Sequence, residues 1–285
     1  MTRPGGTSTA KVWKVHEDRG TDETDQLAAE EPMEIRVTSG RARGAKTTSL
    51  SVTMRTPGHD FELAAGFLFT EGIIEDKKDL LRIEYCTGPG VEQEYNIVSA
   101  ILRPEVPFDP AHLERHVYMT SSCGVCGKTS LEAVRVRTRF SMPHDRPKVK
   151  TGTIGALPDR LMARQSLFAK TGGLHAAGLF DSLGNLEILR EDVGRHNAVD
   201  KLIGERCLAG RIPLREAVLV VSGRASFEIV QKAAVAGIPF VVAVGAPTNL
   251  AVELASEVGM TLVGFARGDR FNAYAGRERI LGSGR

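Results

Sequence analysis

The chain has little net charge, no long hydrophobic run and few cysteines, and each shortage narrows the range of functions. Its 285 residues carry a net charge of +2, so the field of the whole molecule does not favour a nucleic acid partner. No apolar stretch approaches the roughly 20 residues that span a bilayer. Residues 1–6 also lack the hydrophobic core of a signal peptide. We therefore expect a cytoplasmic protein with reduced thiols and without membrane or nucleic acid partners.

The cysteines are too few to suggest a structural zinc site. Cys123 and Cys126 form the only Cys-x-x-Cys pair among the four cysteines, and no second such pair supplies the other half of a site. Cys86 ends an apolar run and Cys207 lies on the apolar stripe of a predicted helix, so both resemble small buried hydrophobic residues. Only the Cys123 and Cys126 pair is expected to be reactive, and we predict no resident metal.

Residues 121–128, Ser-Ser-Cys-Gly-Val-Cys-Gly-Lys, place two thiols between glycines and beside a lysine. A neighbouring thiol and a nearby cation both favour the thiolate, which is the nucleophilic form of cysteine. Three chemistries fit this pattern: half of a zinc site, a dithiol/disulfide couple, or a sulfur carrier that holds a persulfide. The small, flexible Ser/Gly context is unlike the strand-to-helix junction of a thioredoxin couple, so the redox interpretation ranks second.

The chain divides into three parts by composition and periodicity. Residues 1–30 are polar and without sustained periodicity, which predicts a disordered tail. Residues 31–145 predict a small α+β domain that ends with the Cys-x-x-Cys loop. Its strand-like runs, at 34–37, 49–54, 80–86 and 95–102, surround a helix with Asp60 as the expected N-cap. The polar connection at 143–147 marks the domain boundary.

Residues 146–285 alternate apolar strands with helices, which predicts an α/β domain with a mainly parallel sheet covered by helices. The strand candidates are residues 175–180, 186–189, 217–221, 240–244 and 261–265. The first two are expected to form an antiparallel hairpin. Three helices follow, ending near Gly210, Gly237 and Gly259.

The loops that leave the later strands are rich in glycine and arginine. They comprise residues 191–197, 222–226, 245–248 and 266–270. Because ligands bind at the carboxyl ends of parallel strands, these loops should converge on one edge and hold a phosphate-bearing ligand through Arg195, Arg224, Arg267 and Arg270. Each arginine or glycine turn alone is more typical of an ordinary surface, and no G-x-G-x-x-G motif is present. His175 is interpreted as a hydrogen-bonded strand histidine, and His196 as a candidate for polar recognition.

Several motifs together resemble the FdhD/NarQ family of formate dehydrogenase accessory sulfurtransferases. The resemblance extends from about residue 34 to 280 and rests on residues 55–68, 121–128, 171–177, 191–201, 222–224, 246–248 and 264–267. It implies a cytidine-deaminase-like second domain, a homodimer, and sulfur transfer from a cysteine desulfurase to the molybdenum cofactor of formate dehydrogenase. Gly245, where relatives often have serine, is a small departure.

The same resemblance assigns site residues. Cys123 and Cys126 match the family's essential pair. The segment for the bis-molybdopterin guanine dinucleotide cofactor corresponds to Phe265, Ala266, Arg267, Gly268, Asp269 and Arg270. Deamination itself is not expected, because the second domain lacks the His-x-Glu and Pro-Cys-x-x-Cys motifs of zinc deaminases.

The sequence thus predicts a sulfurtransferase that carries sulfur as a persulfide, with Cys123 favoured as the bearer by resemblance alone. Phosphates and guanine of the cofactor, bound as a substrate, would be held by the strand-end loops with Arg195 and Arg224. Two alternatives stay open at this point. One is a thiol oxidoreductase that uses the Cys123/Cys126 couple, and the other is a non-catalytic chaperone that binds the cofactor and its client enzyme.

Overall fold

The N-terminal part of the chain forms a two-stranded ribbon. The computed structural model describes residues 4–40, 44–86, 92–109 and 139–282. In it, β1 (Thr7–His16) pairs antiparallel with β2 (Arg19–Ala28), and Ala29 N donates to Gly6 O at the base of the ribbon. Most of its side chains are exposed, including Trp13 at 70%. The prediction of a disordered tail is therefore wrong for residues 7–28. The β-branched residues of this segment favour strands, which form here although most of their side chains are exposed.

A four-stranded sheet follows, in the order β4-β3-β6-β5. Its strands are β3 (Glu31–Ser39), β4 (Lys46–Arg55), β5 (Leu80–Tyr85) and β6 (Ile97–Leu102). β3 is parallel to β6, and the other two pairings are antiparallel. Helix α1 (Asp60–Thr70) packs on this sheet through Leu63 and Ala64. All four predicted strands and the predicted helix are confirmed.

The expected N-cap of α1 is wrong by one residue. His59 occupies the cap position in the left-handed region, with φ of 59°, and Asp60 is the first helical residue. The carboxylate of Asp60 instead accepts hydrogen bonds from Arg55 Nη2 at 3.1 Å and from the Tyr85 hydroxyl at 3.0 Å. Because Arg55 and Asp60 are both buried, this carboxylate fixes the helix to the sheet rather than capping the helix.

The larger sheet has six strands in the order β13-β12-β11-β10-β8-β9. They are β8 (His175–Phe180), β9 (Leu186–Asp192), β10 (Val218–Val221), β11 (Phe240–Ala243), β12 (Thr261–Arg267) and β13 (Arg270–Ala275). Among these described neighbours, only β10–β11 and β11–β12 are parallel. The predicted strands and the β8–β9 hairpin are confirmed, but the predicted mainly parallel sheet is wrong. The β8–β9 hairpin on one side and the antiparallel strand β13 on the other flank three parallel strands, and β13 was not predicted.

Helices cover both faces of the larger sheet. The helices that follow α1 are α2 (Thr151–Met162), α3 (Phe168–Thr171), α4 (Arg195–Leu208), α5 (Phe227–Val235) and α6 (Asn249–Glu257). The short α3 contacts β2 of the ribbon. α2 packs on one face, and α4, α5 and α6 pack on the other. The sequence predicted the last three. It did not reveal α2, which contains Gly152, Gly155 and Pro158 and is therefore poor in helix formers. None of the helices in the described ranges has the length and apolar character needed to cross a bilayer.

Short elements complete the fold around the connection between the two sheets. β7 (Val149–Lys150) pairs in parallel with β14 (Ile280–Leu281), and single 3₁₀ turns lie at Lys77–Asp79 and Arg277–Arg279. The predicted boundary at 143–147 falls within residues 139–148, which form neither helix nor strand. The division into domains at that point stays a prediction.

The two sheets share one hydrophobic core, because α1 packs directly against α4. A Cβ built on Gly66 of α1 would overlap the carbonyl oxygen of Asp200 in α4, and one on Gly204 would overlap that of Glu62. These two glycines let the helix backbones touch. The resulting core joins Leu68 of the first part to residues of the larger sheet. The larger sheet is thus supported by the smaller part through this helix pair.

Candidate functional site

Four strand-end loops meet at one edge of the larger sheet. β9 and β10 point the same way because both are antiparallel to β8, and β11 and β12 follow β10. Hydrogen bonds continue between the loops beyond the strands. Gly245 N donates to Gly223 O at 3.0 Å, and Phe265 N donates to Gly245 O at 3.1 Å. The predicted convergence is confirmed, and the start of β8, at His175, lies at the same edge opposite Asp192.

The predicted arginines occupy different parts of this edge. Arg195 begins α4 and is half-buried, and a Cβ on Gly223 would lie 3.8 Å from its Cδ. Arg224 is exposed in the next loop. Arg267 and Arg270 are exposed and pair across the β12–β13 turn. The edge therefore presents positive side chains that offer bidentate donors to an anion.

The β12–β13 turn is seated against α2 on the other face of the sheet. A Cβ built on Gly155 of α2 would overlap the carbonyl oxygen of Gly268, whereas one on Gly152 would meet nothing within 4 Å. Gly268 and Asp269 form the exposed tip, and Ala266 is buried beneath it. The predicted segment from Phe265 to Arg270 is thus a hairpin tip whose position depends on a glycine in the neighbouring helix.

Phe265 combines exposure with backbone strain. Its ring is 48% exposed, and its φ is 53°, in the left-handed region that aromatic residues rarely adopt. The β12–β13 register shifts between Gly264 and Arg267, so Phe265 lies in an irregular part of the strand. An exposed aromatic ring in a strained backbone is typical of a ligand-binding position rather than a packing position.

The imidazole of His175 has no hydrogen-bond partner among the described residues, so the hydrogen bond expected of a strand histidine is not found within them. A Cβ on Gly223 would lie 3.4 Å from its Nδ1. The pKa of His175 is lowered mainly by burial, and further by the charges of Arg195 and His196, while Asp192 acts in the opposite direction. Nε of Arg195 is likewise buried and has no partner in the part of the chain that the structure describes.

His196 points to the start of α5 instead. Its Nε2 lies 2.7 Å from Glu228 Oε2 and 3.2 Å from Ser226 Oγ. The hydrogen bond with His196 lowers the pKa of Glu228. These contacts are internal to the protein, and the predicted role of His196 in polar recognition stays a prediction.

Two acidic residues of the loop at 191–197 support it from within. Asp192 is fully buried, and its carboxylate forms an ion pair with Lys201 Nζ at 2.6 Å. It also accepts hydrogen bonds from Thr56 N at 3.2 Å, from Gly194 N at 2.8 Å and from Asn197 Nδ2 at 3.1 Å. Glu191 accepts from the backbone amides of residues 167 and 168, at 3.1 and 2.7 Å. Sequence reasoning missed both roles, although an aspartate two residues before a glycine is a known turn signal. Both carboxylates are engaged inside the fold.

Comparison with known proteins identifies the family. The model of the FdhD/NarQ family matches residues 28–281. The chain belongs to the FdhD/NarQ family. It is 50% identical over 277 residues to the sulfur carrier protein FdhD of Streptomyces avermitilis, covering 96% of this chain and 95% of that protein. With the sulfur carrier protein FdhD of Mycolicibacterium paratuberculosis it shares 49% identity over 276 residues, covering 96% and 98%.

A solved structure has the same fold as this FdhD/NarQ chain. It comes from Desulfotalea psychrophila and is assigned as a formate dehydrogenase accessory protein. The TM-score is 0.72 at 25% sequence identity, with 96% of this chain and 99% of that chain covered. The mixed α/β architecture described above is therefore shared with that solved structure. The cytidine-deaminase-like relationship stays an expectation from resemblance.

The Cys-x-x-Cys pair falls within the family match, but Cys123 and Cys126 lie outside the described residues. Of the other cysteines, Cys86 is half-buried, and Cys207 is buried so that desolvation raises the pKa of its thiol to about 12. Cys207 is therefore an inert core residue, as predicted. Among the described residues, no group of three or more histidine, cysteine or acidic side chains is placed to hold a metal.

His112 and His116 have the His-x-x-x-His spacing that zinc sites use, and they precede the cysteine pair. Both also lie outside the described residues. The prediction that the chain holds no structural zinc therefore rests only on the absence of a second Cys-x-x-Cys pair. The zinc content of the purified protein should be measured together with any test of Cys123 and Cys126.

Proposed function

We propose that this protein is a sulfur carrier for formate dehydrogenase. The supporting observation is that the family match spans nearly the whole chain and includes the only Cys-x-x-Cys pair, while relatives about 50% identical are named sulfur carriers. In this proposal a cysteine desulfurase supplies the sulfur, and the acceptor is the bis-molybdopterin guanine dinucleotide molybdenum cofactor. The protein works in the cytoplasm as a homodimer and hands the cofactor to formate dehydrogenase.

The chemistry is a pair of thiol exchange steps. The Cys123 thiolate attacks the outer sulfur of the desulfurase persulfide, and the S–S bond of the donor breaks as its cysteine leaves as a thiolate. A new persulfide then stands on Cys123, with Cys126 beside it. On transfer, this second S–S bond breaks, Cys123 leaves as a thiolate, and the reduced metal of the acceptor supplies the two electrons that turn the sulfur into sulfide.

The sheet edge is the proposed binding site for the acceptor. Arg195, Arg224 and the hairpin tip offer donors to the phosphates, and the exposed ring of Phe265 offers a face on which guanine stacks. Two observations support a ligand here: the strain at Phe265 and the buried Nε of Arg195, which lacks a partner among the described residues. The buried carboxylate of Asp192 is paired with Lys201 Nζ at 2.6 Å, and this ion pair offsets one negative charge in the same loop.

Mass spectrometry after incubation with a cysteine desulfurase and cysteine tests the carrier directly. The proposal predicts that the peptide containing Cys123 gains the mass of one sulfur atom. Loss of two hydrogens from the pair, without a sulfur adduct, would instead support the thiol oxidoreductase. No change in mass, together with binding of the cofactor, would support the non-catalytic chaperone. Cys86→Ser provides the matched control, because Cys86 lies outside the pair.

A further inference from the structure

His175 and Arg195 place two polar side chains over the same open backbone position. A Cβ on Gly223 would lie 3.4 Å from Nδ1 of His175 and 3.8 Å from Cδ of Arg195. Glycine at this position therefore leaves a gap, which is the space of the missing Cβ, beside the imidazole and the aliphatic part of the Arg195 side chain. The gap opens at the sheet edge, where the strand-end loops converge.

The neighbours of this gap are hydrogen-bonded, but the two side chains that border it are not. Ser222 Oγ accepts from Ala176 N at 2.9 Å, and His196 binds Glu228. In contrast, Nε of Arg195 is buried without a partner among the described residues, and the half-buried imidazole of His175 makes no hydrogen bond to them. Leaving a buried donor without a partner costs about 1 to 3 kcal/mol. Such groups in a native site indicate a ligand that satisfies them.

The charges around His175 decide which ligand suits the gap. The facing groups are Arg195 and His196 from α4 and Asp192 from β9, and Glu228 of α5 interacts with both groups of α4. Asp192 is already paired with Lys201 at 2.6 Å, and His196 with Glu228 at 2.7 Å. Arg195 is therefore the nearby cation that has no ion pair among the described residues. Burial and these cations hold the pKa of His175 below its usual range, so the free protein keeps it neutral near pH 7.

We propose that His175 is a further ligand-binding residue, which holds a phosphate group together with Arg195 and takes up a proton as that group binds. This inference rests on the proposed function, because the phosphate is assigned to the nucleotide part of the acceptor. A phosphate between the two side chains replaces a repulsive environment by an attractive one. The imidazolium then becomes the favoured form, and binding strengthens as the pH falls.

Titration calorimetry of the full chain with guanosine diphosphate tests this linkage. For each protein we compare the affinity at about pH 6 with the affinity at about pH 8. We expect this ratio to be about tenfold larger for the wild type than for His175→Gln. A rise of one unit in the pKa of His175 on binding corresponds to a factor of ten in affinity. Comparing the two proteins cancels the titration of the ligand itself. His144→Gln is the matched control, because His144 is exposed in the connection at 139–148 and should behave as wild type.

Two further measurements locate the phosphate. Wild type should take up a proton on binding, measured in two buffers of different ionisation enthalpy, and His175→Gln should not. Pyrophosphate should show the same difference between the proteins, whereas guanosine, which has no phosphate, should show none. A difference with guanosine equal to that with guanosine diphosphate would place the base, not the phosphate, at His175 and overturn the inference.

Gly223→Ala provides a variant that does not touch the titrating group. The added methyl would make ordinary contacts with His175 and Arg195, so the fold should persist while the gap is filled. We expect affinity for guanosine diphosphate to fall at least about tenfold. Unchanged affinity would contradict the placement of the ligand over Gly223, and the same result for His175→Gln at both pH values would overturn the role of His175. If wild type fails to bind guanosine diphosphate at all, the acceptor site itself is wrong.

Discussion

Asp192 and His175 face each other across the β8–β9 ladder, yet their surroundings are opposite. Asp192 is fully buried and accepts from four groups of the protein. His175 is half-buried, and its imidazole has no partner among the described residues. Asp192 is thus engaged by the fold, whereas His175 is the residue that we propose binds a ligand. The comparison separates a supporting side of this sheet edge, around Asp192, from a proposed binding side, around His175.

The largest effect is expected from the cysteine pair, whose variants should lose function without losing stability. Cys123→Ala and Cys126→Ala should each abolish maturation of formate dehydrogenase activity while leaving the melting temperature unchanged, because a reactive loop thiol contributes little to packing. Enzyme activity in cells that carry each variant is the measurement. Full activity in both would end the persulfide proposal. A large fall in melting temperature with loss of bound metal would identify a zinc site instead.

On the supporting side, Asp192→Ala should be strongly destabilising. It leaves the buried ammonium of Lys201 without its carboxylate partner, and breaking a buried ion pair costs about 3 to 5 kcal/mol. Urea denaturation followed by circular dichroism measures the change. Glu253→Ala in α6 is the control, because that side chain is exposed and makes no ion pair among the described residues, so stability should change by less than about 0.5 kcal/mol. Equal stability of the two variants would contradict the support assigned to Asp192.

On the binding side, Arg224→Ala and Arg267→Ala should weaken binding of guanosine diphosphate without preventing persulfide formation. A charge-assisted hydrogen bond contributes about 1.5 to 3 kcal/mol, so each loss corresponds to about tenfold to a hundredfold in affinity. Calorimetry measures it. Arg215→Ala is the control, since Arg215 precedes β10 at the opposite edge of the sheet. Unchanged affinity in both variants would move the ligand away from this edge.

The smallest effect is expected from Gly152 of α2, for which Gly155 of the same helix provides the comparison. Gly152→Ala should stabilise the protein by up to about 1 kcal/mol, because alanine favours helix and its Cβ meets nothing within 4 Å. Gly155→Ala should lower stability and shift the β12–β13 turn, because the same atom overlaps Gly268 O. Thermal melts and guanosine diphosphate affinity separate the two. Equal melting temperatures and equal affinities of the two variants would contradict the importance assigned to the contact between Gly155 and Gly268.

The sequence predicted the elements whose periodicity is strong, namely α1, the strands of both sheets except β13, and α4 to α6. It failed where local composition opposes the outcome. Helix α2 was hidden by two glycines and a proline, and Gly155 is explained only by the contact with Gly268. The ribbon at 7–28 was hidden by its polarity, because paired backbones, not apolar burial, support it.

The candidate site was predictable in position but not in detail. Strand direction and loop composition placed residues 191–197 and 222–226 at one edge, as the structure confirms. Which side chains are free could not be predicted, because Asp192 finds its partners Thr56 and Lys201 only through the packing of α1 and α4. Sequence spacing does not encode such distant partners. The same packing leaves His175 without one among the described residues.

The exposed ribbon affects how the protein can be followed in solution. Trp13 is the only tryptophan of the chain, and its ring is 70% exposed on β1, beyond the shared core. Intrinsic tryptophan fluorescence therefore reports on the ribbon and is nearly blind to the melting of the two sheets. The same property makes Trp13 a natural optical probe: a shift in its emission on mixing with a desulfurase or a dehydrogenase would register contact at the ribbon without any added label.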